Sequence, residues 1–213
     1  MMTWAAYVTL ADIIGAPKSA VETVTPMRDA FVITLDDQRQ RKSVRMRWGF
    51  VPRGDKNPNA GPRHIHARAE SIDTKITFAD SFQRRRGLIV VETFNEGEEI
   101  APTKTRQHTV TPRDGLPMAI AVIWDRWGEL HAGSILTFAM VTVAANKLIS
   151  TITDRMPAVL QPEDWAKWLG EEPASVEELK AMLKPFDGDW TMAPSPKSGP
   201  PPKRPSPDQP DLF

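Results

Sequence analysis

Met118-Ala119-Ile120-Ala121-Val122-Ile123-Trp124 and Thr137-Phe138-Ala139-Met140-Val141-Thr142-Val143 are short apolar runs rich in β-branched residues, and they decide the fold class. Each has the length of a strand and is bounded by polar or turn-forming residues. Working outward, Gly87-Leu88-Ile89-Val90-Val91, Ser43-Val44-Arg45-Met46-Arg47-Trp48 and Ala30-Phe31-Val32-Ile33-Thr34-Leu35 repeat the pattern, separated by Gly, Pro or Asp turns. No helix stands between every pair, which argues against a parallel doubly wound sheet. Helices are fewer. Pro162 to Leu169 follows a proline and stops at Gly170, and Ser175-Val176-Glu177-Glu178 is a capping-box start for a helix to about Leu183. Ser71 to Gln83 is a weaker helical candidate. The class is therefore α+β and strand-dominated: a curled, barrel-like antiparallel or mixed sheet with a few peripheral helices.

The 213 residues carry 27 Lys+Arg against 27 Asp+Glu, so nucleic-acid affinity, if present, must come from local patches. Cysteine is absent, which removes disulfides, cysteine-zinc and iron–sulfur sites and any thiol nucleophile. No run approaches the roughly 20 apolar residues that span a bilayer, and Asp12 interrupts the apolar N-terminus without a basic lead-in. A cytoplasmic protein without membrane contact is the expectation. Eight of the 20 prolines fall between Pro194 and Pro210. We expect a folded domain over 1–192 and an extended, disordered tail over 193–213.

Several segments could carry chemistry. Arg39, Arg41, Lys42, Arg45 and Arg47 precede Trp48, and cations with an aromatic suit a single-stranded nucleic-acid groove. An edge strand charged to block pairing is the alternative. His64 and His66 form an HxH pair, but no cysteine accompanies them and His108 and His131 are distant, so neither a metal nor a cofactor is expected. The strand from Gly87 ends in an acidic stretch containing Glu92 and Glu96, where a carboxyl at a buried strand end could act as acid or base. Arg155, in Thr153-Asp154-Arg155-Met156-Pro157, is a phosphate ligand or a surface ion-pair partner.

Taken together, Arg47-Trp48-Gly49-Phe50-Val51-Pro52, Ala67-Arg68-Ala69-Glu70-Ser71, Arg85-Arg86-Gly87-Leu88-Ile89 through Phe94-Asn95-Glu96, Ala121 to Trp127, Val141 to Asn146 and Asp154-Arg155-Met156-Pro157-Ala158-Val159-Leu160 resemble, in order and spacing, the motifs of the SOS-response-associated peptidase family. The resemblance covers about residues 30 to 170. It implies a single α+β domain, expected as a monomer, with a cleft for single-stranded DNA containing an abasic site. It also implies an N-terminal cysteine whose amine and thiol trap the sugar aldehyde, assisted by a glutamate, a histidine and an asparagine.

Carried over residue by residue, Glu96 keeps the glutamate, Arg68 and Arg155 the phosphate-facing arginines, Trp48 the aromatic wall and Thr142 a polar lining residue. The nucleophile position is Met2 or Thr3, the asparagine is His66, the histidine is Thr153, and the aromatic after the glutamate is Gly97. Two readings follow. One is a noncatalytic relative that binds single-stranded or abasic DNA through Trp48, Arg68, Thr142, Arg155 and the basic strand with Arg45 and Arg47. The other is altered catalysis: an N-terminal amine, of Thr3 or Met1, forms a transient Schiff base while Glu96 or His66 moves protons. A peptidase acting on other proteins ranks below both. The final Gln209-Pro210-Asp211-Leu212-Phe213 resembles the bacterial sliding-clamp-binding motif, with Gln209 as polar anchor and Leu212 and Phe213 as pocket-filling residues.

Overall fold

In the computed structural model, residues 24–57, 64–128 and 133–195 are described. Five strands close into a barrel: β1 (Asp29–Leu35), β2 (Arg41–Trp48), β4 (Arg86–Val91), β7 (Met118–Trp127) and β8 (Ile135–Ala144), in the order β7-β4-β1-β2-β8 with β7 also pairing β8. All neighbours are antiparallel except β2 and β8, which run parallel. β3 (His66–Arg68) pairs Met140–Thr142 of β8 in parallel, beyond the stretch paired with β2, β9 (Arg155–Pro157) pairs β8, and β10 (Val159–Leu160) pairs β7.

Local chemistry explains the closure. The β1–β2 hairpin turns at Asp36–Gln40, where the Asp36 carboxylate accepts from the backbone N–H groups of Gln38 and Gln40, both at 2.8 Å. Arg39, at φ 60°, takes the left-handed position that lets such a turn rejoin the ladder. Inside, Gly87 marks the tightest approach: a Cβ there would lie 2.6 Å from Val32 Cγ1 and 3.3 Å from Val122 Cγ2. Val32, Val122, Met46 and Phe138 are buried around it, as expected of a small barrel filled by its own side chains.

Among the described residues three short α-helices pack outside, α1 (Ala79–Arg84), α2 (Pro162–Leu169) and α3 (Val176–Met182). α2 begins with Pro162 at its first turn and ends on Gly170 at φ 93°, while Ser175 and Glu178 form the expected capping box on α3. Arg86 ties α1 and α2 to the barrel, donating to the carbonyls of Phe82 (2.7 Å), Gln83 (2.6 Å) and Trp168 (2.6 Å) at the two helix C-termini, where a cation is favoured. Trp168 in turn donates to the Gly87 carbonyl at 2.8 Å. Of the helix expected over 71–83, only Ala79–Arg84 is helical; residues 69–78 form turns.

A second sheet, β5 (Phe94–Ala101), β6 (Lys104–Pro112) and β11 (Trp190–Pro194), lies apart from the barrel sheet in order β11-β6-β5. Its Phe94 meets Trp190 edge-on, ring centroids 5.6 Å apart. β11 carries its pairing to Pro194, opposite His108, so the ladder continues two residues beyond the boundary expected from proline content. No helix among the described residues is long and apolar enough to cross a membrane.

Candidate functional site

One cleft, enclosing about 420 Å³, is lined by His66, Arg68, Ser71, Lys75, Phe78, Glu96, Thr142 and Arg155. That volume suits a group of nucleotide size. Each wall follows from the topology. His66 and Arg68 alternate with buried Ala67 on β3, so both face the cleft side, and the register sets Arg68 beside Thr142 of β8. Arg155 reaches in from β9, Ser71, Lys75 and Phe78 from the turns after β3, and Glu96 from β5 of the second sheet.

The charges in the cleft are unevenly engaged. Arg155 is held by a two-pronged bond to Glu70 (2.7 and 2.9 Å) and by the Thr142 carbonyl (2.6 Å). Its Nε is buried without a hydrogen-bond partner among the described residues. The same fork lowers the Glu70 pKa, because the Arg155 hydrogen bond favours the carboxylate. Arg68 forms no salt bridge among the described residues. Glu96 is the reverse case: burial raises its carboxyl to about 7, so it is neutral below that pH. The His66 pKa is lowered by burial and by the nearby positive charge of Arg155, so its imidazole is neutral at pH 7. The cleft thus combines cations for an anion with one carboxyl that changes charge near neutral pH and one neutral imidazole.

The sequence-predicted residues divide accordingly. His66, Arg68, Glu96, Thr142 and Arg155 share the cleft. Trp48 stands behind His66: it stacks on Phe138 (6.3 Å, 11°), tilts against His66 (6.1 Å) and donates through Nε1 to the Ile65 carbonyl at 2.9 Å. Arg45 and Arg47 project from the face of β2 opposite Trp48 and Met46, on the other side of the sheet from His66 and Arg68. The aromatic on their side is Phe31, 41% exposed and directly opposite Arg45. Thr153 is half-buried outside the cleft lining, its N–H donating to the Ile149 carbonyl. His64 packs edge-on against Phe78, while His66 faces Trp48, so the two imidazoles have different partners. Met2, Thr3, Gln209, Leu212 and Phe213 lie outside the described residues. Sequence reasoning missed Ser71, Lys75 and Phe78, whose signal was proximity to Arg68 within a segment read as helix.

A family profile described as SOS response associated peptidase matches residues 15–197. The chain belongs to the SOS response associated peptidase family. Among relatives of this family, abasic site processing protein YoqW of Bacillus subtilis is 26% identical over 166 residues, covering 78% of this chain and 74% of that protein. Abasic site processing protein HMCES of Xenopus tropicalis is 25% identical over 173 residues, covering 71% of this chain and 52% of its own. The family fold recurs in crystal structures of a protein from Bordetella bronchiseptica (TM-score 0.75, 20% identity, 92% of this chain and 97% of that one) and of one from Bacteroides thetaiotaomicron (TM-score 0.69, 23% identity, 80% and 75%).

Proposed function

We propose that this chain recognises abasic sites in single-stranded DNA, as a DNA-damage-response protein that lacks the thiol crosslinking chemistry implied by its family resemblance. The observation that carries the reading is the cleft itself. Arg68, Lys75 and Arg155 offer positive charge for phosphates, Ser71, Thr142 and His66 offer hydrogen bonds to a sugar, and Glu96, raised to about 7 by burial, repels the polyanion less at neutral pH than an ordinary carboxylate. With no cysteine anywhere in the chain, a sulfur-containing ring cannot form. Relatives named for abasic site processing support DNA as the partner. Fluorescence anisotropy with abasic and intact single-stranded oligonucleotides tests this: tighter binding to the abasic strand at low salt is expected, and no measurable binding removes the proposal.

A second reading, altered catalysis through an amine, is favoured by Glu96 being poised near neutrality beside a neutral imidazole. The N-terminal amine of Thr3 or Met1 is one candidate for that chemistry. For the tail, we propose that Gln209, Leu212 and Phe213 dock on a replication sliding clamp. Loss of clamp pull-down on deleting 209–213 is expected, and retention refutes it.

A further inference from the structure

We propose that Lys75 is the amine that captures the aldehyde of a ring-opened abasic sugar in this cleft, by a reversible iminium, and so lets the site prefer an abasic sugar over an intact nucleoside. The inference rests on the reading that the cleft receives abasic single-stranded DNA.

The placement of Lys75 is specific. Its backbone is fixed by three hydrogen bonds: its N–H donates to the Ser71 carbonyl (2.9 Å), and its carbonyl accepts from the N–H groups of Phe78 (2.8 Å) and Ala79 (2.9 Å). The exposed side chain is steered by an aromatic face, with Nζ 5.2 Å from the centroid of the Phe78 ring. Phe78 is itself buried and braced by Phe50 and His64, so the ring is a fixed platform. Lys75 forms no salt bridge among the described residues, and it is the one lysine among those lining the cleft. Lys180, on α3, is instead committed to Asp73 at 2.7 Å. The other cations of the cleft are guanidiniums, which stay charged and cannot add to a carbonyl. An imidazole adds without forming a stable C=N bond. Only Lys75 therefore combines, within the described lining, a primary amine with access to the ligand.

The chemistry balances with groups in the cleft. The Lys75 ammonium releases one proton to solvent, and the neutral amine forms a C–N bond to C1′ of the aldehyde. A proton moves from this nitrogen to the former carbonyl oxygen, giving a carbinolamine. The protonated carboxyl of Glu96 then donates its proton to that hydroxyl, and the C–O bond breaks as water leaves. The products are an iminium on Lys75 and a carboxylate on Glu96, opposite charges in one cleft. Water reverses the sequence, so capture adds to binding without a permanent link. An intact nucleoside has no free aldehyde and gains nothing from Lys75.

The test uses the full chain, a single-stranded oligonucleotide with one abasic site, and borohydride to reduce any iminium to a stable secondary amine. A covalent adduct is expected, with peptide mapping by mass spectrometry placing it on Lys75. Lys75→Arg should lower adduct yield more than tenfold, while Lys184→Arg, outside the cleft lining, retains it. An adduct on the N-terminal amine or another lysine, or one undiminished in Lys75→Arg, overturns the inference. Anisotropy on the same oligonucleotide without reductant separates the two levels. Binding without any adduct overturns the role of Lys75 and leaves DNA recognition standing; no binding at all overturns both.

Discussion

Replacing Glu96 with Gln should stabilise the protein in a pH-dependent way. Burial raises the folded-state carboxyl from 4.5 to about 7. At low pH the group is protonated in both folded and unfolded chains and costs nothing. As pH rises through 4.5 the unfolded chain releases its proton while the folded chain keeps it, so stability falls until the folded group also ionises near 7. Above that the penalty is constant. The interval from 4.5 to about 7, at about 1.36 kcal/mol for each pH unit, corresponds to about 3 kcal/mol. Gln has similar shape and no titration, so Glu96→Gln should gain about 3 kcal/mol relative to wild type between pH 4 and pH 8. In a domain of this size that is roughly 6–12 °C in Tm. Urea unfolding of both proteins at the two pH values measures it. Contributions of the amide that do not depend on pH cancel in the double difference, as do those of groups common to both proteins. A difference between variants that is the same at pH 4 and pH 8 refutes the argument, because Glu96 then ionises equally in both states.

DNA affinity and barrel packing give two further expectations. Arg68→Ala should weaken single-stranded DNA binding and reduce the steepness of log K against log salt by about 0.7, the signature of one lost phosphate contact; an unchanged slope in a salt titration removes Arg68 from the interface. Gly87→Ala should cost about 1–3 kcal/mol in urea unfolding, because the added methyl would meet Val32 Cγ1 at 2.6 Å and the Ile33 carbonyl oxygen at 2.9 Å; a neutral result would show that β1 and β4 can move apart.

The barrel was legible in the sequence because its strands must bury side chains. The five expected runs are β1, β2, β4, β7 and β8, the closed set. The second sheet was not legible. Of β5 and β6, only Phe94, Val110 and Pro112 are buried, while Asn95, Glu99, Thr105 and Gln107 face outward, so no apolar alternation announces the hairpin. The segment after Arg68 misled for a different reason. There Thr74 Oγ1 donates to the Ser71 carbonyl at 3.3 Å, a local side-chain bond that competes with helix, and turns persist until Ala79. That misreading hid Lys75 and Phe78. The residues alone left Glu96 as an acid/base carboxyl or an acidic turn, His66 as one member of an HxH pair and Arg155 as a phosphate ligand or a surface ion-pair partner; the family resemblance chose among these. Asp125 was read only as part of the Ala121 to Trp127 motif, with no role of its own; it is buried, accepts from Arg53 (3.0 Å) and forms an ion pair with Arg85 (3.2 Å), fixing the chain after Phe50 to β7.

The departure at Gly97 is tied to the side chains beside it on β6. Gly97 stands where the resemblance places an aromatic, and it lies within β5 with ordinary backbone that does not itself demand glycine. Its neighbours do. A Cβ at 97 would come within 2.6 Å of Thr105 Cγ2 and 3.2 Å of Gln107 Nε2 on β6. Thr105 is β-branched and stiff about χ1, so it cannot swing aside cheaply. An aromatic at 97 therefore requires a smaller or differently directed residue at 105. Introducing a cysteine near the N-terminus would supply a thiol, but Thr153 would still lack an imidazole and position 97 would still be closed by its cross-strand partners. The chemistry we propose for this cleft is that of the groups already in it: guanidiniums for phosphate, a carboxyl raised to about 7 and an imidazole for protons, and a lysine amine for a carbonyl.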